Sequence, residues 1–201
     1  MPRGCLLEIK GSSAELQWQL LTKRLLKGFL PVMFSVCAGF AQAASYSPPP
    51  IKLEPLARFT VDLVAPVWEL GETSGHGKRR IIPITGGHFE GGRLKGTILD
   101  NGADWQIVTA DGVAIIETRY LLQTDDGALI YLRTEGYRYG PPAVMQKVAA
   151  GEEVDPNLYQ FRITLRFETS AQKYAWLNRT VAVGSAMRLG KAVVYDAFEV
   201  R

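Results

Sequence analysis

Short segments in which apolar and polar residues alternate dominate this chain from residue 55 to its end. The clearest runs from Tyr159 to Phe167, where every odd-numbered residue is apolar and every even-numbered one is polar. A period of two predicts a β-strand with one face turned toward a core. Glycine-rich turn signals such as Gly86-Gly87 and Gly91-Gly92 separate the alternating segments. The pattern predicts about nine or ten strands.

Only one helix is predicted among these strands. Pro141-Pro142 suits a first helical turn, residues 143–150 favour helix, and Gly151 suits its end. So many strands with a single helix exclude repeated βαβ units and favour antiparallel pairing. Closing the sheet would remove its exposed edges. We therefore predict an all-β fold, a single antiparallel β-barrel with one short helix near 141–150.

The amino-terminal region has the order of features found in a secretory signal peptide. Basic residues at 23, 24 and 27 precede a 13-residue apolar run, Gly28–Phe40, and Ala41-Gln-Ala43 supplies an A-x-A cleavage site. The apolar run is short for a bilayer span, so no membrane anchor is expected after cleavage. We predict a signal peptide over 1–43, a proline-rich leader over 44–54, a barrel domain over 55–201, and a periplasmic or secreted mature protein.

Removal of residues 1–43 changes the charge and the cysteine content. Five basic and two acidic residues leave the 23 and 20 of the whole chain, so 18 of each remain and the net charge is zero. A neutral domain gives no electrostatic indication of nucleic-acid binding. Both cysteines, Cys5 and Cys37, also leave, which excludes a disulfide or a thiol nucleophile in the mature protein.

Asp126-Gly127 predicts a hairpin between Ile115–Asp125 and Ala128–Tyr137. With a two-residue loop, Tyr120 faces Arg133 and Leu122 faces Tyr131 on one face of the hairpin. A face that combines tyrosines with an arginine would suit the lining of a barrel pocket. The alternative is a solvated outer face held by cross-strand pairs.

Several motifs in this region resemble one family in order and spacing. They are Gly86-Gly-His-Phe-Glu-Gly91, Gly102-Ala-Asp-Trp-Gln106, Asp125-Asp-Gly-Ala-Leu-Ile-Tyr131, Phe161-Arg162 with Arg166-Phe-Glu-Thr169, and Tyr174-Ala-Trp-Leu-Asn178. The chain is similar from about Leu56 to Val200 to the bacterial and fungal group called domain of unknown function 3237, or uncharacterised protein family 0311. The resemblance implies a small calycin or lipocalin-like barrel with a central cavity, and it implies no settled activity.

Asp104 is the candidate catalytic residue. It lies beside Trp105, and a carboxylate packed on an indole can acquire the raised pKa that suits a general acid or base. The alternative is a turn residue whose carboxylate accepts hydrogen bonds from backbone amides.

Seven further residues are candidates for ligand contact. Trp176 and Asn178 lie two apart in a predicted strand and would share a face. An arginine such as Arg133 in a barrel cavity would bind a carboxylate or enolate, although a structural ion pair is the alternative. The candidate ligand-binding residues are Trp105, Tyr120, Tyr131, Arg133, Glu168, Trp176 and Asn178.

Two functional hypotheses follow. In the first, the barrel binds a small apolar or aromatic molecule with one acidic or carbonyl group. In the second, it is a cofactor-free isomerase, cyclase or lyase in which Asp104 moves a proton and Arg133 with Asn178 stabilises an oxyanion. We expect no metal, since His76 and His88 are the only histidines, and no cofactor or nucleic-acid partner. Assembly into a homo-oligomer stays open.

Overall fold

The computed structural model describes residues 46–64, 66–73 and 75–201. The predicted signal peptide lies outside the described residues. The barrel belongs to the compact unit Pro48–Arg201. Residues 46–52 are exposed and have no regular structure before the first strand begins at Leu53. No helix within the described ranges has the length and hydropathy of a membrane span.

Ten strands and one α-helix lie in the described part of this unit. The helix α1 spans Pro142–Ala150, and 3₁₀ helices span Pro156–Leu158 and Gln172–Arg179. The strands are β1 Leu53–Leu63, β2 Trp68–Glu72, β3 Lys78–Glu90, β4 Lys95–Ile98, β5 Gly102–Val108, β6 Ala114–Thr124, β7 Leu129–Tyr139, β8 Gln160–Glu168, β9 Ala182–Arg188 and β10 Ala192–Val200.

The sheet closes on itself because β1 pairs with both β10 and β3. β4 and β5 each pair with β3 on one side and with β6 on the other. The two short strands therefore share a single strand position between β3 and β6, one after the other along its length. β2 extends the β1 position along the first half of β3. Every pairing is antiparallel, and eight strand positions complete the circuit. The predicted antiparallel barrel is therefore confirmed.

The alternation in sequence corresponds to the two faces of the barrel wall. In β8, Phe161, Ile163, Leu165 and Phe167 are buried, whereas the even-numbered residues are exposed. Phe59 is fully buried in the interior between Phe89 and Tyr195, with ring centroids 5.4 and 4.7 Å away. Stacked rings of this kind add to the stability gained from burial.

Close contact between strands requires a glycine at one position in the wall. Gly87 has φ of 130°, and a β-carbon there would lie 2.0 Å from the carbonyl oxygen of Thr60 on β1. The closing pair β1 and β3 therefore accepts no side chain at this position, because the clash is with backbone rather than a movable side chain.

Helical segments cover the two ends of the barrel. At one end, α1 begins with Pro142 at its first turn, ends at Gly151 in a left-handed conformation, and packs Val148 into the core. This helix matches the prediction. At the other end lies the 3₁₀ helix Gln172–Arg179, which buries Tyr174 and Leu177. The sequence pattern predicted a single helix, and the expectation of no second helical segment was wrong.

The β6–β7 hairpin has a longer loop than predicted. Thr124 N donates to Ala128 O, and Gly127 is left-handed with φ of 84°, so three residues form the loop. Thr124 Oγ1 also accepts a hydrogen bond from Ala128 N at 2.9 Å, which supports this loop. One extra residue changes which side chains share a face. Tyr120 therefore pairs with Leu132 and Leu121 with Tyr131, and the predicted face was wrong.

Candidate functional site

Asp104 projects into the barrel from β5. Its residue is 8% exposed, and it pairs with Ile82 of β3 and Thr118 of β6. Asp104 Oδ1 accepts from the backbone N–H of Glu117 at 3.2 Å, and Oδ2 accepts from Gln106 Nε2 at 3.0 Å. Burial raises the pKa of Asp104 to about 6, against the opposing effect of these hydrogen bonds and of Arg138 and Arg80.

Three arginines from three other strands lie near this carboxyl group. Arg80 projects from β3, Arg138 from β7 and Arg188 from β9, and all three affect the charge state of Asp104 or of one another. Asp104 forms no ion pair within 4.0 Å in the part of the chain that the structure describes. We call Asp104, Gln106, Arg80, Arg138 and Arg188 the polar cluster.

Three members of the polar cluster, Gln106, Arg138 and Arg80, have buried polar atoms without hydrogen-bond partners. Gln106 is 1% exposed and Arg138 is 7% exposed. Gln106 Oε1, Arg138 Nε and Arg80 Nε have no hydrogen-bond partner among the described residues. A buried polar atom left unpaired costs about 1–3 kcal/mol, and such atoms are uncommon in native proteins. Unpaired buried donors and acceptors in one cluster are typical of a site that a ligand or water completes.

A cleft of about 510 Å³ leads to this cluster beside α1. Arg80 and Arg138 line it, together with Met145 on the helix and Val108 and Ala114 on the barrel wall. Its volume is within the range of small-molecule sites. Asp104 does not line the cleft. It lies two residues along β5 from Gln106, which is the partner of Arg80 in the strand register.

Tyr120 is the predicted ligand residue that the structure places inside the barrel. Its hydroxyl lies 2.6 Å from that of Tyr195, and both residues are 3% exposed. Burial raises the pKa of Tyr195 well above its usual value and has the same effect on Tyr120. Both hydroxyl groups therefore stay neutral, and they form a hydrogen bond with each other inside the core.

Trp105 and Arg133 lie on the outer face of the barrel. Trp105 alternates with the inward Asp104, and the Arg119 guanidinium lies 5.7 Å from its ring centroid. Arg133 forms an ion pair with Glu135 on its own strand. The structure therefore does not bring these two residues to the lumen with Asp104. For Arg133, the geometry is that of the alternative interpretation, a structural ion pair.

Trp176 and Asn178 lie in the 3₁₀ helix Gln172–Arg179 rather than in a strand, so the predicted shared strand face was wrong. The Asn178 side chain stabilises the segment that follows β8, because its Oδ1 accepts a hydrogen bond from Thr169 N at 2.8 Å and its Nδ2 donates one to Thr169 O at 2.9 Å. Trp176 packs instead under Arg93, whose guanidinium lies 4.1 Å from the ring centroid.

An external groove of about 960 Å³ runs along β8 and β9 near this end. It brings together three of the predicted ligand residues, Tyr131, Glu168 and Asn178. Trp105, Tyr120, Arg133 and Trp176 do not line it. The predicted ligand residues are thus distributed over the lumen, the outer wall and this groove.

Sequence reasoning missed Gln106, Arg80, Arg138 and Arg188. A signal for Arg138 was present in the chain, because it continues the even-numbered inward series of β7 after Leu132 and Thr134. That signal depends on the correct hairpin register.

No group of three or more potential metal ligands lies together within residues 46–64, 66–73 and 75–201.

Comparison with known proteins agrees with this architecture. The family model described as "Protein of unknown function (DUF3237)" matches residues 50–200. A UPF0311 protein of Rhodopseudomonas palustris is 44% identical over 126 residues, 63% of this chain and 82% of that protein. A crystal structure of a β-barrel-like protein from Acinetobacter baumannii is 69% identical, covers 78% of this chain and all of that one, and has a TM-score of 0.70.

A more distant relative has a named activity. The hydroalkoxylation enzyme phnH of Penicillium herquei is 28% identical over 159 residues, which are 79% of this chain and 90% of that enzyme. The family match spans three quarters of the chain, and the barrel has the architecture of the solved relatives. The chain therefore belongs to the DUF3237 family, which includes the UPF0311 proteins.

Proposed function

We propose that the polar cluster is the site of a cofactor-free enzyme that adds a hydroxyl group to a carbon–carbon double bond within one molecule. The observation that carries this proposal is the buried Asp104 carboxyl group, which lies beside several arginines and forms no ion pair among the described residues. Its raised pKa of about 6 gives it the near-neutral proton affinity that a general acid or base needs. The relationship to a hydroalkoxylation enzyme supports this reaction class over other proton transfers.

The chemistry requires one proton to leave an oxygen and one to reach a carbon. Asp104 takes the proton of the substrate hydroxyl group, whose oxygen bonds to the far carbon of a double bond conjugated with a carbonyl. The electron pair moves to the carbonyl oxygen, where the guanidinium groups of Arg138 and Arg80 stabilise the enolate. Asp104 then returns its proton to the remaining carbon. The product is an isomer of the substrate, so no oxidant, reductant or cofactor is consumed.

The substrate would have to reach beyond the cleft. Two residues along a β-strand span roughly 7 Å, so Asp104 lies about that far past the level of Arg80 and Gln106. A molecule with two joined or linked rings would span this distance. The interior at Asp104 must open by side-chain movement for the reaction to occur, since the residue is 8% exposed.

A binding protein without turnover is the second candidate. The cleft itself favours it, because Arg80 and Arg138 line the cleft and Asp104 does not. In that case Asp104 would act only as a partial counter-charge to the arginines.

The cyclisation of 2′-hydroxychalcone to flavanone tests the proposal, because this substrate carries a phenol and a conjugated double bond. We expect the protein to accelerate the loss of the chalcone absorbance, with the rate rising as the pH passes about 6 and Asp104 loses its proton. Asp104→Asn should lower kcat by about 10²-fold, because it removes the base and keeps the shape.

Glu135→Gln provides the matched control. It removes a carboxylate that is exposed on the outer face of β7, and it should leave the rate unchanged. A protein that does not accelerate the cyclisation, or an Asp104→Asn variant that keeps the wild-type rate, would contradict the enzymatic proposal.

We also propose that the protein acts after export. The supporting pattern is the basic stretch, apolar run and A-x-A site within residues 1–43. The intact mass of protein from a periplasmic extract should then correspond to a chain that begins near Ala44. Recovery of the full-length chain from the cytosolic fraction would refute this.

A further inference from the structure

We propose that the cleft beside α1 selects small aromatic carboxylates, which it holds through the guanidinium group of Arg138. This rests on the proposed function for the location of the site, and it adds the chemical class of the molecule recognised. Recognition by Arg138 does not require Asp104 to move a proton, so the two proposals can fail separately.

Arg138 is the least satisfied charged group in the polar cluster. The residue is 7% exposed, and its Nε has no hydrogen-bond partner among the described residues. The ring centroid of Phe161 lies 5.6 Å from its guanidinium carbon. A buried guanidinium is costly to leave without an acceptor, and a planar carboxylate fits its forked donors.

The other two arginines have partners that Arg138 lacks. Arg80 Nε lies 3.1 Å from Glu69 Oε1, near enough for an ion pair although too poorly aligned for a hydrogen bond. Arg188 Nη1 donates to the carbonyl oxygens of Leu189 and Ala192 in the turn before β10.

The charge of the polar cluster is therefore unbalanced. Three arginines face one buried carboxyl group, and the one ion pair that they form with described residues goes to Glu69, whose side chain is 62% exposed. An additional anion near Arg138 would reduce the repulsion among the guanidinium groups. This favours a negatively charged ligand over a neutral one.

Most of the remaining wall of the cleft is apolar, and its two other polar side chains, Asp111 and Gln146, belong to exposed residues. Val108 and Ala114 on the barrel and Met145 and Ala149 on α1 contribute side chains without charge. An aromatic ring would pack against these residues while its carboxylate reaches Arg138. The combination of a mainly apolar wall and the buried guanidinium group of Arg138 matches an aromatic monocarboxylate.

Benzoate and its neutral analogue benzamide distinguish charge from shape. We expect benzoate at millimolar concentration to bind the wild-type protein, measured by titration calorimetry, and benzamide to bind at least tenfold more weakly. Arg138→Met keeps much of the side-chain length and should lower benzoate affinity by at least tenfold. Equal affinity for both compounds, or no benzoate binding to the wild type, overturns the proposal.

Arg133→Met is the matched control, since Arg133 lies on the same strand with its side chain on the outer face. It should leave benzoate affinity unchanged. An equal loss of benzoate affinity in both variants would show that the affinity depends on the overall charge of the protein, and it would overturn the assignment to Arg138. Circular dichroism of each variant checks that the barrel is folded.

Asp104→Asn separates this proposal from the enzymatic one. Removing the neighbouring negative charge should maintain or increase benzoate affinity, because the anion then meets less repulsion. If benzoate binds through Arg138 and no cyclisation occurs, the carboxylate site stands and the enzymatic proposal fails. Benzoate binding that disappears in Asp104→Asn and persists in Arg138→Met would overturn the carboxylate site.

Discussion

Phe59→Ala should lower the free energy of unfolding by about 3–5 kcal/mol, the usual cost of removing a buried phenylalanine. Phe59 has 0% exposure and stacks between Phe89 and Tyr195 in the barrel interior. The barrel wall is hydrogen-bonded all round, so it cannot collapse easily to fill the cavity. Urea denaturation followed by circular dichroism would measure the change.

Tyr137→Ala is the matched control for this substitution. It also removes an aromatic ring from a strand, but Tyr137 is 57% exposed on the outer face of β7. A surface substitution of this kind should change stability by only a few tenths of a kcal/mol. If the two variants lost equal stability, the assignment of Phe59 to a rigid, well-packed core would be wrong.

Asp104→Asn should raise the stability of the protein above pH 6, by up to about 3 kcal/mol. The pKa of Asp104 rises from an ordinary 3.8 to about 6 on folding, and each unit corresponds to about 1.4 kcal/mol. Between these values the folded state holds a proton that the unfolded state has lost. The stabilising contribution is therefore fully present below about pH 3.8 and is lost as the pH rises through about 6.

The charged groups around Asp104 set the size of this effect. Burial is the largest cause of the raised pKa, and Arg138 and Arg80 oppose it from β7 and β3. The new amide can donate to the unpaired Gln106 Oε1 once the Gln106 amide has turned over, so the variant should fold. Denaturation across pH 4 to 8 should give a flatter profile for the variant than for the wild type.

Glu135→Gln again serves as the control, because it changes an exposed carboxylate on the outer face. Its stability profile should follow that of the wild type. A loss of stability in Asp104→Asn at pH 8 would mean that the carboxylate is better satisfied than its burial implies. The same result would weaken the assignment of Asp104 as a near-neutral acid or base.

Part of the fold follows from local sequence. The alternation over Tyr159–Phe167 depends only on the period of a strand, and it correctly separates the buried and exposed faces of β8. The helix at 142–150 depends on Pro142 at its start and Gly151 at its end, which act within a few residues. The many strands with one helix likewise predicted the closed antiparallel sheet.

The hairpin face was predicted wrongly because the β6–β7 loop is one residue longer than expected. Asp126-Gly127 is compatible with loops of two or three residues, and Thr124 bonding to Ala128 favours the longer one. One residue reverses the direction of every side chain in the partner strand. The prediction therefore put Arg133 on the candidate pocket face, whereas the structure has Arg133 on the outer face and Arg138 on the inner face.

The sequence by itself determined most of the strands, the α-helix and which residues alternate, because these depend on contacts and conformations within a few residues. It also singled out Asp104 as a titratable group next to a large aromatic residue. Only the tertiary structure decided that Asp104 on β5 lies near Arg80, Arg138 and Arg188, which come from three other strands. Barrel closure and strand register bring these side chains close together, and both depend on long-range strand pairing that local patterns do not encode.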